Sequence, residues 1–411
     1  MLKSELYEIL SNLENSGIEF KRDDIKPEQL AKEIVALSNL NGGKIIIGVE
    51  DDGTITGIQR ENLQEWVMNV FRDKVHPMII PFYEEIEVDD KKRVAVVSLL
   101  QGIAKPYVVR HNGREDIYIR MGDRSEVATR EQQARLYSIG GLLHTETMPV
   151  SGSSLQSLDR QRMDDYLANI MGDEGKGSSE SDIIKRLCNL GLMIEIDTSH
   201  VCCTIAGLIL FGLRPRTLMR YAGIRVTVYK GTDKEYETIL DKTIDECFIG
   251  QWDSGSGLRK MVRGGLIDIF METVEPFITS EQLINSVRRE KIYKYPVEAI
   301  REVIVNANVH RDWTRSVDIE VALYSDRMEI ISPGALQNTM TVEKMKAGQR
   351  SHRNSILVEV ARDYGYMEAR GMGIRKKVIP LIRQYSGRDP LIEGTEDFVK
   401  ITLFPAQDQS L

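Results

Sequence analysis

The chain has 411 residues, of which 42% are apolar and 28% charged, with 32 glycines and 12 prolines. This composition is that of a globular protein of two or three domains, and it excludes a disordered, collagenous or fibrous chain. The net charge is −8, but the segment from Lys344 to Arg388 holds 11 Lys or Arg against three acids. A basic segment in an acidic chain indicates phosphate as a local partner, with a merely solvated helix face as the alternative.

Membrane insertion and secretion are not indicated by the sequence. No apolar run approaches the roughly 20 residues that a membrane span requires, and the N-terminus lacks the apolar region of a secretory signal. The four cysteines, Cys188, Cys202, Cys203 and Cys247, form no Cys-x-x-Cys pair. We therefore expect a cytoplasmic protein with reduced thiols and no membrane partner.

The first 148 residues mix helical and strand patterns. Apolar spacing predicts a helix over 27–40, which begins at Pro27. The Asn41-Gly42-Gly43 break then precedes an apolar strand, and Asp52-Gly53 predicts a hairpin turn. Further short strands are predicted at residues 93–99, 107–110 and 116–120.

Two stretches rich in Gly and Ser, residues 149–159 and 172–181, predict connectors. We therefore divide the chain into an N-terminal domain (1–148), a linker and connecting α/β region (149–294) and a C-terminal domain (295–411). The predicted elements of the last two parts are strands at 200–211 and 225–230, a helix at 296–310, strands at 317–323 and 327–331, further helices, and a final strand at 397–404. This pattern predicts the α+β class, with a layered α/β sandwich at the C-terminal end.

Three polar side chains follow one stripe of the predicted helix 296–310. Glu302, Asn306 and His310 are spaced i, i+4, i+8, beside the apolar face of the helix. Polar groups at the edge of a buried face are costly unless they bind something. From spacing alone, a pair of capped, water-satisfied residues remains the alternative.

The residues around this stripe resemble a known nucleotide-binding fold. Glu302–Ala307, E-V-I-V-N-A, resembles the N-box of the GHKL fold, also called the Bergerat fold, which gyrase-type ATPases, Hsp90-type chaperones and histidine kinases share. The resemblance implies that Glu302 orients the attacking water and that Asn306 ligates Mg²⁺. Glu368–Ile374, E-A-R-G-M-G-I, resembles the glycine-rich turn of this fold, whose backbone approaches the phosphates.

The chain departs from the GHKL pattern at the base-reading motif. Ser332-Pro333-Gly334 stands where the family has an Asp-x-Gly that reads the adenine amino group. This departure leaves the identity of the nucleotide open and predicts slow or absent hydrolysis. The nucleotide-binding residues implied by the resemblance are Glu302, Asn306, His310, Ser332, Gly334, Gly371 and Gly373, with ATP as the expected ligand.

The N-terminal domain resembles the AlbA-type domain of Schlafen proteins. The residues that carry the resemblance are E-N-S-G-I-E-F-K (14–21), A-L-S-N-L-N-G-G (36–43), I-I-I-G-V-E-D (45–51) and I-Y-I-R-M-G-D (117–123). By comparison with Schlafens that cleave tRNA or rRNA, Glu14, Glu19 and Asp51 would form a nuclease centre with Mg²⁺ or Mn²⁺. The alternative is that Glu19 pairs with Lys21 or Lys44 while Glu14 is simply exposed.

Nucleic acid needs cations near such a centre. The predicted phosphate contacts are Lys21, Arg22, Lys105, Arg110, Arg114, Arg120 and Arg124, with His111 beside them. Interleaved acids at Glu115, Asp116 and Asp123 oppose this reading, because some of these cations then only balance local charge.

Over nearly its full length the chain resembles prokaryotic Schlafen-like ATP-binding proteins, which are often described as transcriptional regulators or RecG-like proteins. The first hypothesis is a nucleotide-regulated, metal-dependent endoribonuclease that acts on structured RNA such as tRNA, in stress response or phage defence. The second is a non-catalytic, ATP-binding and DNA-binding transcriptional regulator, and the third is a pure assembly protein. We expect at least a homodimer, because GHKL domains often dimerise.

Overall fold

The computed structural model describes residues 1–88, 92–102, 104–111, 113–172, 179–197, 200–253, 260–284, 288–337, 340–349, 351, 353–367 and 372–406. The chain divides into two compact units, Met1–Leu143 and His144–Leu411. Both combine helices with sheets, so the predicted α+β class is confirmed.

The first unit contains short strands around one long buried helix. Its helices are α1 (Lys3–Asn12), α2 (Pro27–Asn39), α3 (Leu63–Lys74) and α4 (Arg130–Ile139). Its strands are β1 (Ile18–Lys21), β2 (Gly42–Ile47), β3 (Val75–His76), β4 (Phe82–Glu87), β5 (Arg93–Leu100), β6 (Val108–His111), β7 (Arg114–Asp116), β8 (Tyr118–Met121) and β9 (Arg124–Val127).

A four-stranded sheet in the order β1-β2-β5-β4 forms the centre of the first unit. β1 and β2 are parallel, and the other neighbours are antiparallel. One face of this sheet packs against α2 and α3, while α1 covers apolar residues of the other face. Successive side chains along β2 point to opposite faces of the sheet, so this strand contributes apolar side chains to both cores.

The tight turn between α2 and β2 requires glycine. Gly42 has a φ of +82°, and a Cβ there would lie 2.4 Å from the backbone oxygen of Leu99. Glycine adopts this conformation without steric cost. The chain can therefore leave the helix at Asn39 and enter the central strand within three residues, as the sequence predicted.

The second unit has a larger sheet with helices packed on it. Its helices are α5 (Arg160–Asp165), α6 (Glu180–Asn189), α7 (Ile205–Phe211), α8 (Leu266–Ile278), α9 (Val297–Val309), α10 (Val342–Lys346), α11 (Ser355–Asp363) and α12 (Ile379–Ser386), and π-helical segments cover Tyr166–Ile170 and Gly373–Val378. Its strands are β10 (Met193–Glu195), β11 (Val201–Cys203), β12 (Ile224–Tyr229), β13 (Thr238–Ile244), β14 (Gln251–Asp253), β15 (Lys260–Arg263), β16 (Thr279–Ile284), β17 (Arg288–Tyr293), β18 (Ile319–Leu323), β19 (Met328–Pro333), β20 (Leu391–Gly394) and β21 (Phe398–Leu403).

The six-stranded sheet of this unit changes the predicted domain division. Its order is β13-β12-β18-β19-β21-β20, with β12 parallel to β18 and antiparallel pairs elsewhere. Two of its strands therefore come from the region predicted as a separate connecting part, 149–294. The predicted boundary at 294 therefore falls within this unit, in which β12 and β13 complete the sheet and share one core with α8 and α9.

The apolar run 200–211 is a short strand followed by a helix, not the single strand predicted. β11 ends at Cys203, and the Thr204 hydroxyl accepts a hydrogen bond from the Gly207 backbone at 3.1 Å, which caps α7. Every residue of α7 is buried. A short apolar run that is buried all round shows neither helical nor strand periodicity, so the sequence pattern did not distinguish the two.

Within the described part of the chain, no helix combines the length and the apolar character needed to cross a membrane.

Candidate nucleotide and nucleic-acid sites

A cavity of about 210 Å³ in the second unit is lined by residues of α9, β19 and β21 and by several of the described residues between Gly334 and Ile374; we call it the α9 cavity. Six of the predicted nucleotide-binding residues line it, namely Glu302, Asn306, His310, Ser332, Gly334 and Gly373. The seventh, Gly371, lies outside the described residues, as does Glu368. These residues come from α9 and the position after it, from β19 and the position after it, and from the start of the π-helical segment, and the fold brings them to one place.

Glu302 and Asn306 form a hydrogen-bonded pair on α9. The Asn306 Nδ2 group donates to the Glu302 backbone oxygen at 2.7 Å and to Glu302 Oε1 at 2.8 Å. Glu302 is only 8% exposed. Since the amide nitrogen is engaged, the Asn306 oxygen is the atom that could ligate Mg²⁺, which takes oxygen ligands.

Gly373 and Lys377 lie beside the same carboxylate. A Cβ at Gly373 would be 1.8 Å from Glu302 Oε1, so only glycine fits there without displacing the carboxylate. Lys377 Nζ lies 3.7 Å from Glu302 Oε2. The sequence pointed to the glycine through its motif, but it gave no signal for the lysine beyond the basic character of the segment.

The base-reading position is occupied by a hydroxyl. Ser332 donates its Oγ hydrogen to the Ala307 backbone oxygen at 2.8 Å, which leaves the oxygen lone pairs as acceptors. Gly334 has a φ of +105°, and a Cβ there would lie 2.3 Å from Asp312 Cβ and 2.7 Å from an Arg353 nitrogen. The Ser-Pro-Gly turn therefore packs against an Asp–Arg pair that the sequence analysis did not single out.

Arg353 holds the rim of the cavity in place. It is 4% exposed, donates to the Ala335 backbone oxygen at 2.9 Å and lies 3.8 Å from Asp312 Oδ2. Burial lowers the pKa of Arg353, against the opposing effect of the Asp312 charge. A second arginine, Arg362, also lines the cavity, so two cations of the basic segment contribute to its lining.

Most of the remaining lining is apolar. The cavity combines these apolar surfaces with the polar groups described above, a mixture that suits a flat base joined to charged phosphates. The apolar lining residues are Val303, Ala307, Ile330, Ala335, Leu336, Met340, Met345, Val358, Met367, Ile374, Val399 and Ile401.

In the first unit we call Glu14, Glu19 and Asp51 the acidic cluster. Glu14 is half-buried, and its Oε1 accepts a hydrogen bond from the Phe20 backbone at 2.7 Å. Burial raises the pKa of Glu14, and the charges of Glu19 and Asp51 raise it further, while the Phe20 N–H and Lys21 oppose this shift. Asp51 is exposed on the turn after β2. Glu19 and Asp51 are thus both close enough to Glu14 to act on it electrostatically.

The Glu19 carboxylate forms ion pairs with two cations. It is 4% exposed, contacts Lys21 Nζ through Oε1, and has Oε2 at 2.5 Å from an Arg120 nitrogen. Burial opposes protonation of Lys21, but its hydrogen bond with Glu19 and the charges of Glu19 and Glu14 outweigh this, and the pKa of Lys21 is raised. The pairing of Glu19 with Lys21 that the sequence analysis left open is therefore present.

Arg120 joins three elements and was not predicted to do so. It lies 3.1 Å from Glu33 on α2 and donates to the backbone oxygens of Asn15 at 3.0 Å and Ile18 at 3.2 Å. Glu33 also accepts a hydrogen bond from the Ser125 hydroxyl at 2.5 Å. Burial and the charge of Glu19 raise the pKa of Glu33. The network is a buried structural link between β8, α2 and the start of β1.

The described residues contain no group of three or more His, Cys, Asp or Glu side chains arranged to hold a metal ion. In the acidic cluster Glu19 is engaged with Lys21 and Arg120, which leaves at most Glu14 and Asp51 as oxygen ligands. As placed, the donor set does not fit the predicted Mg²⁺ or Mn²⁺ site.

The predicted phosphate contacts divide by exposure. Lys105 and Arg120 are 4% and 5% exposed, so the prediction that they contact phosphate is wrong. Lys105 Nζ donates to the Leu40 backbone oxygen at 2.5 Å, and Lys21 is held by Glu19. These three cations already have partners within the protein.

Four predicted arginines remain at the surface. Arg22 lies 3.3 Å from both Asp24 and Glu50, and Arg110 lies 2.6 Å from Glu115. Within the part of the chain that the structure describes, Arg114 and Arg124 are exposed and have no side-chain ion pair. The latter two are therefore the cations best placed to meet phosphate.

Comparison with known families supports the assignment of both domains. Residues 14–129 match the family model described as "Schlafen, AlbA_2". Residues 317–403 match the one described as "Putative ATP-dependent DNA helicase recG C-terminal". The chain thus combines a Schlafen AlbA_2 domain with a RecG-type C-terminal domain, which confirms the predicted resemblance to Schlafen-like prokaryotic proteins. Glu302 and Asn306 lie before the residues of the second match. In the structure they line the α9 cavity together with residues that belong to that match.

More distant likenesses exist among solved structures. The DIP2311 protein from Corynebacterium diphtheriae is 18% identical, with a TM-score of 0.45, over 98% of this chain and 80% of that one. The N-terminal domain of a "Putative ATP-dependent DNA Helicase RecG-related Protein" from Nitrosomonas europaea is 20% identical, with a TM-score of 0.24, over 31% of this chain and 90% of that one. Both are too distant to define an activity or a partner. No curated protein matches the chain significantly.

Proposed function

We propose that the chain is a nucleotide-regulated nucleic-acid-binding protein, with an ATP-type ligand in the α9 cavity and nucleic acid on the first unit. The observation that carries the proposal is that residues predicted from separate motifs, Glu302, Asn306, Ser332 and Gly373, line one cavity. The two family matches support this assignment of nucleic acid to the first unit and nucleotide to the second.

The residues of the cavity suit the parts of a nucleotide. The Asn306 oxygen would hold Mg²⁺, which supplies charge neutralisation for the phosphates when it is bound. Arg353 and Arg362 place positive charge at the lining. The Ser332 oxygen can accept a hydrogen bond from an amino group such as that of adenine, although a single hydroxyl selects a base less strictly than a carboxylate.

Calorimetric titration of the full chain with ATP and GTP in Mg²⁺ tests nucleotide binding. Asn306→Ala should weaken ATP binding about tenfold or more, since it removes the predicted Mg²⁺ ligand. Asn169→Ala is the matched control, because Asn169 is exposed and does not line the cavity. No binding by the unaltered chain, or equal binding by both variants, would contradict the proposal.

A second candidate function is endoribonucleolytic cleavage of structured RNA such as tRNA. The observation that favours it is that the Glu14 carboxyl lies near Glu19 and Asp51, whose charges help to raise the pKa of Glu14, since a carboxyl with a perturbed pKa beside other carboxylates is typical of catalytic sites. The neutralisation of Glu19 leaves Glu14 and Asp51 as the carboxylates available to substrate. A role in stress response or phage defence would follow from such an activity.

Incubation of the protein with total tRNA tests cleavage, with Mn²⁺, Mg²⁺ or EDTA and with or without ATP. Asp51→Asn and Glu14→Gln should abolish discrete cuts, whereas Asp52→Asn should not, because the Asp52 carboxylate accepts hydrogen bonds from Thr54 within its own turn. Cuts in EDTA would exclude a metal requirement. Intact tRNA with a shifted gel band would leave a binding protein, and duplex DNA would then be tested for the regulator hypothesis.

The same samples test assembly. We expect a homodimer or larger homo-oligomer, and an increase in mass on nucleotide addition, measured by light scattering, would link the α9 cavity to oligomeric state.

A further inference from the structure

The Glu302 carboxylate lies in the α9 cavity among groups that can hold an anion. One of its oxygens accepts the hydrogen bond of the Asn306 amide at 2.8 Å. The other lies 3.7 Å from the Lys377 ammonium group. The backbone at Gly373 approaches so closely that a Cβ there would be 1.8 Å from Oε1. An amide donor, a lysine and a glycine backbone therefore surround one negatively charged group.

These are the features by which proteins bind phosphate. Glycine lets the backbone approach an oxyanion, and a lysine supplies a point charge. The π-helical segment that begins at Gly373 also carries Arg375 and Lys376 at the surface. Of the three cations in this segment, Lys377 approaches the carboxylate, and Arg375 donates to the Ala347 backbone oxygen.

We propose that Glu302 acts as a stand-in for phosphate in the ligand-free chain, and that it makes nucleotide binding depend on a divalent cation. This inference rests on the proposed nucleotide-binding function and concerns its regulation. A polyphosphate that enters the cavity meets a second anion in a site of low polarity, where like charges repel strongly. A divalent cation relieves this repulsion, or the carboxylate must leave Lys377 and Gly373.

The test is calorimetric titration of the full chain with ATP, once in EDTA and once in Mg²⁺. The variants are Glu302→Gln and, as the matched control, Glu298→Gln. Glu298 is one turn earlier on the same helix and exposed, so its substitution removes the same charge outside the cavity. Glutamine keeps a side-chain oxygen that accepts the Asn306 hydrogen bond, and thermal unfolding verifies that both variants fold.

In EDTA, Glu302→Gln should bind ATP about tenfold more tightly than the unaltered chain, because one repulsive charge is gone. Glu298→Gln should bind like the unaltered chain. The ratio of affinities with and without Mg²⁺ should shrink correspondingly in Glu302→Gln. Addition of Lys377→Met to Glu302→Gln should reverse most of the gain, since the lysine then contacts phosphate in place of Glu302.

The outcomes separate the two proposals. If the unaltered chain binds ATP in Mg²⁺ but Glu302→Gln gains nothing in EDTA, this inference is overturned and nucleotide binding stands. An equal gain in Glu298→Gln also overturns it, because the effect would then be one of general charge. Failure of every protein to bind ATP in either condition overturns both proposals.

Discussion

The Glu14 carboxyl is held among like charges, and this has a cost for stability. Burial raises its pKa, and the charges of Glu19 and Asp51 add to the shift. A raised pKa means that the folded state binds the proton more tightly than the unfolded state does. The protonated form, present at low pH, therefore favours the folded state. The ionised form therefore lowers the free energy of unfolding progressively as the pH rises through the pKa of Glu14.

Asp51→Asn should consequently raise the free energy of unfolding at pH 7, by less than about 1 kcal/mol because Asp51 is exposed. The gain should disappear below the pKa of Glu14, where that carboxyl is neutral. Denaturant unfolding at pH 7 and at pH 4 measures this. Asp52→Asn is the control, and it should lower the free energy of unfolding at pH 7. Hydrogen bonds from Thr54 lower the pKa of Asp52 and so favour its ionised form in the folded state. A destabilised Asp51→Asn variant at pH 7 would contradict the electrostatic account.

At Gly373 the addition of a single Cβ atom should change both the stability of the fold and ATP binding. A Cβ there would overlap the Glu302 carboxylate. We expect Gly373→Ala to cost about 1–3 kcal/mol, as overpacking does, and to disturb ATP binding. Gly231→Ala is the control, because its added Cβ would have only an ordinary contact of 3.5 Å with Glu235. Thermal unfolding and ATP titration of both variants check this, and equal behaviour would speak against the close approach.

Among the elements, β8 depends on one buried arginine. Arg120 links it to α2 through Glu33 and to the start of β1 through Glu19 and two backbone oxygens. Removal of one partner from a buried ionic network leaves uncompensated charge. The motif I-Y-I-R-M-G-D thus contributes a structural cation, and not the phosphate contact that we predicted.

Arg120→Met should therefore lower the free energy of unfolding by about 3–5 kcal/mol. Arg124→Met, on the neighbouring strand β9, should change stability by less than about 0.5 kcal/mol, because Arg124 is exposed. Denaturant unfolding compares the two. In nucleic-acid binding we expect Arg124→Met to weaken affinity and to reduce its salt dependence. Equal stabilities of the two variants would refute the structural role of Arg120.

At the scale of the whole molecule, each unit contains its own apolar cores. The clusters around α2 and α1 lie within residues 1–143, and the large cluster around α9 lies within residues 144–411. A segment with a complete core can fold by itself.

We expect fragments 1–143 and 144–411 to fold separately and fragment 295–411 to fail. The last fragment lacks β12 and β13, which pair in the six-stranded sheet. Circular dichroism and cooperative unfolding of the three fragments measure this. A cooperatively folded 295–411 fragment would restore the domain boundary that the sequence suggested.

The sequence by itself determined the α+β class, both family resemblances, and helices such as α2 and α9 to within a residue or two. It did so because amphipathic spacing, prolines, glycine breaks and short motifs are local properties of the chain. The identity of the cavity-lining residues Glu302, Asn306, Ser332 and Gly373 was also available from motifs.

Only the tertiary structure decided which charges are exposed and that strands from region 149–294 belong to the C-terminal sheet. Glu19, Arg120 and Lys105 look like functional groups in the sequence, but burial makes each take a partner within the fold, since an unpaired buried charge is costly. β12 and β13 joined the C-terminal sheet through pairing with strands far along the chain. Such long-range pairing leaves no local trace, and for the same physical reason the position of Glu302 against Gly373 and Lys377 emerged only when the chain was folded.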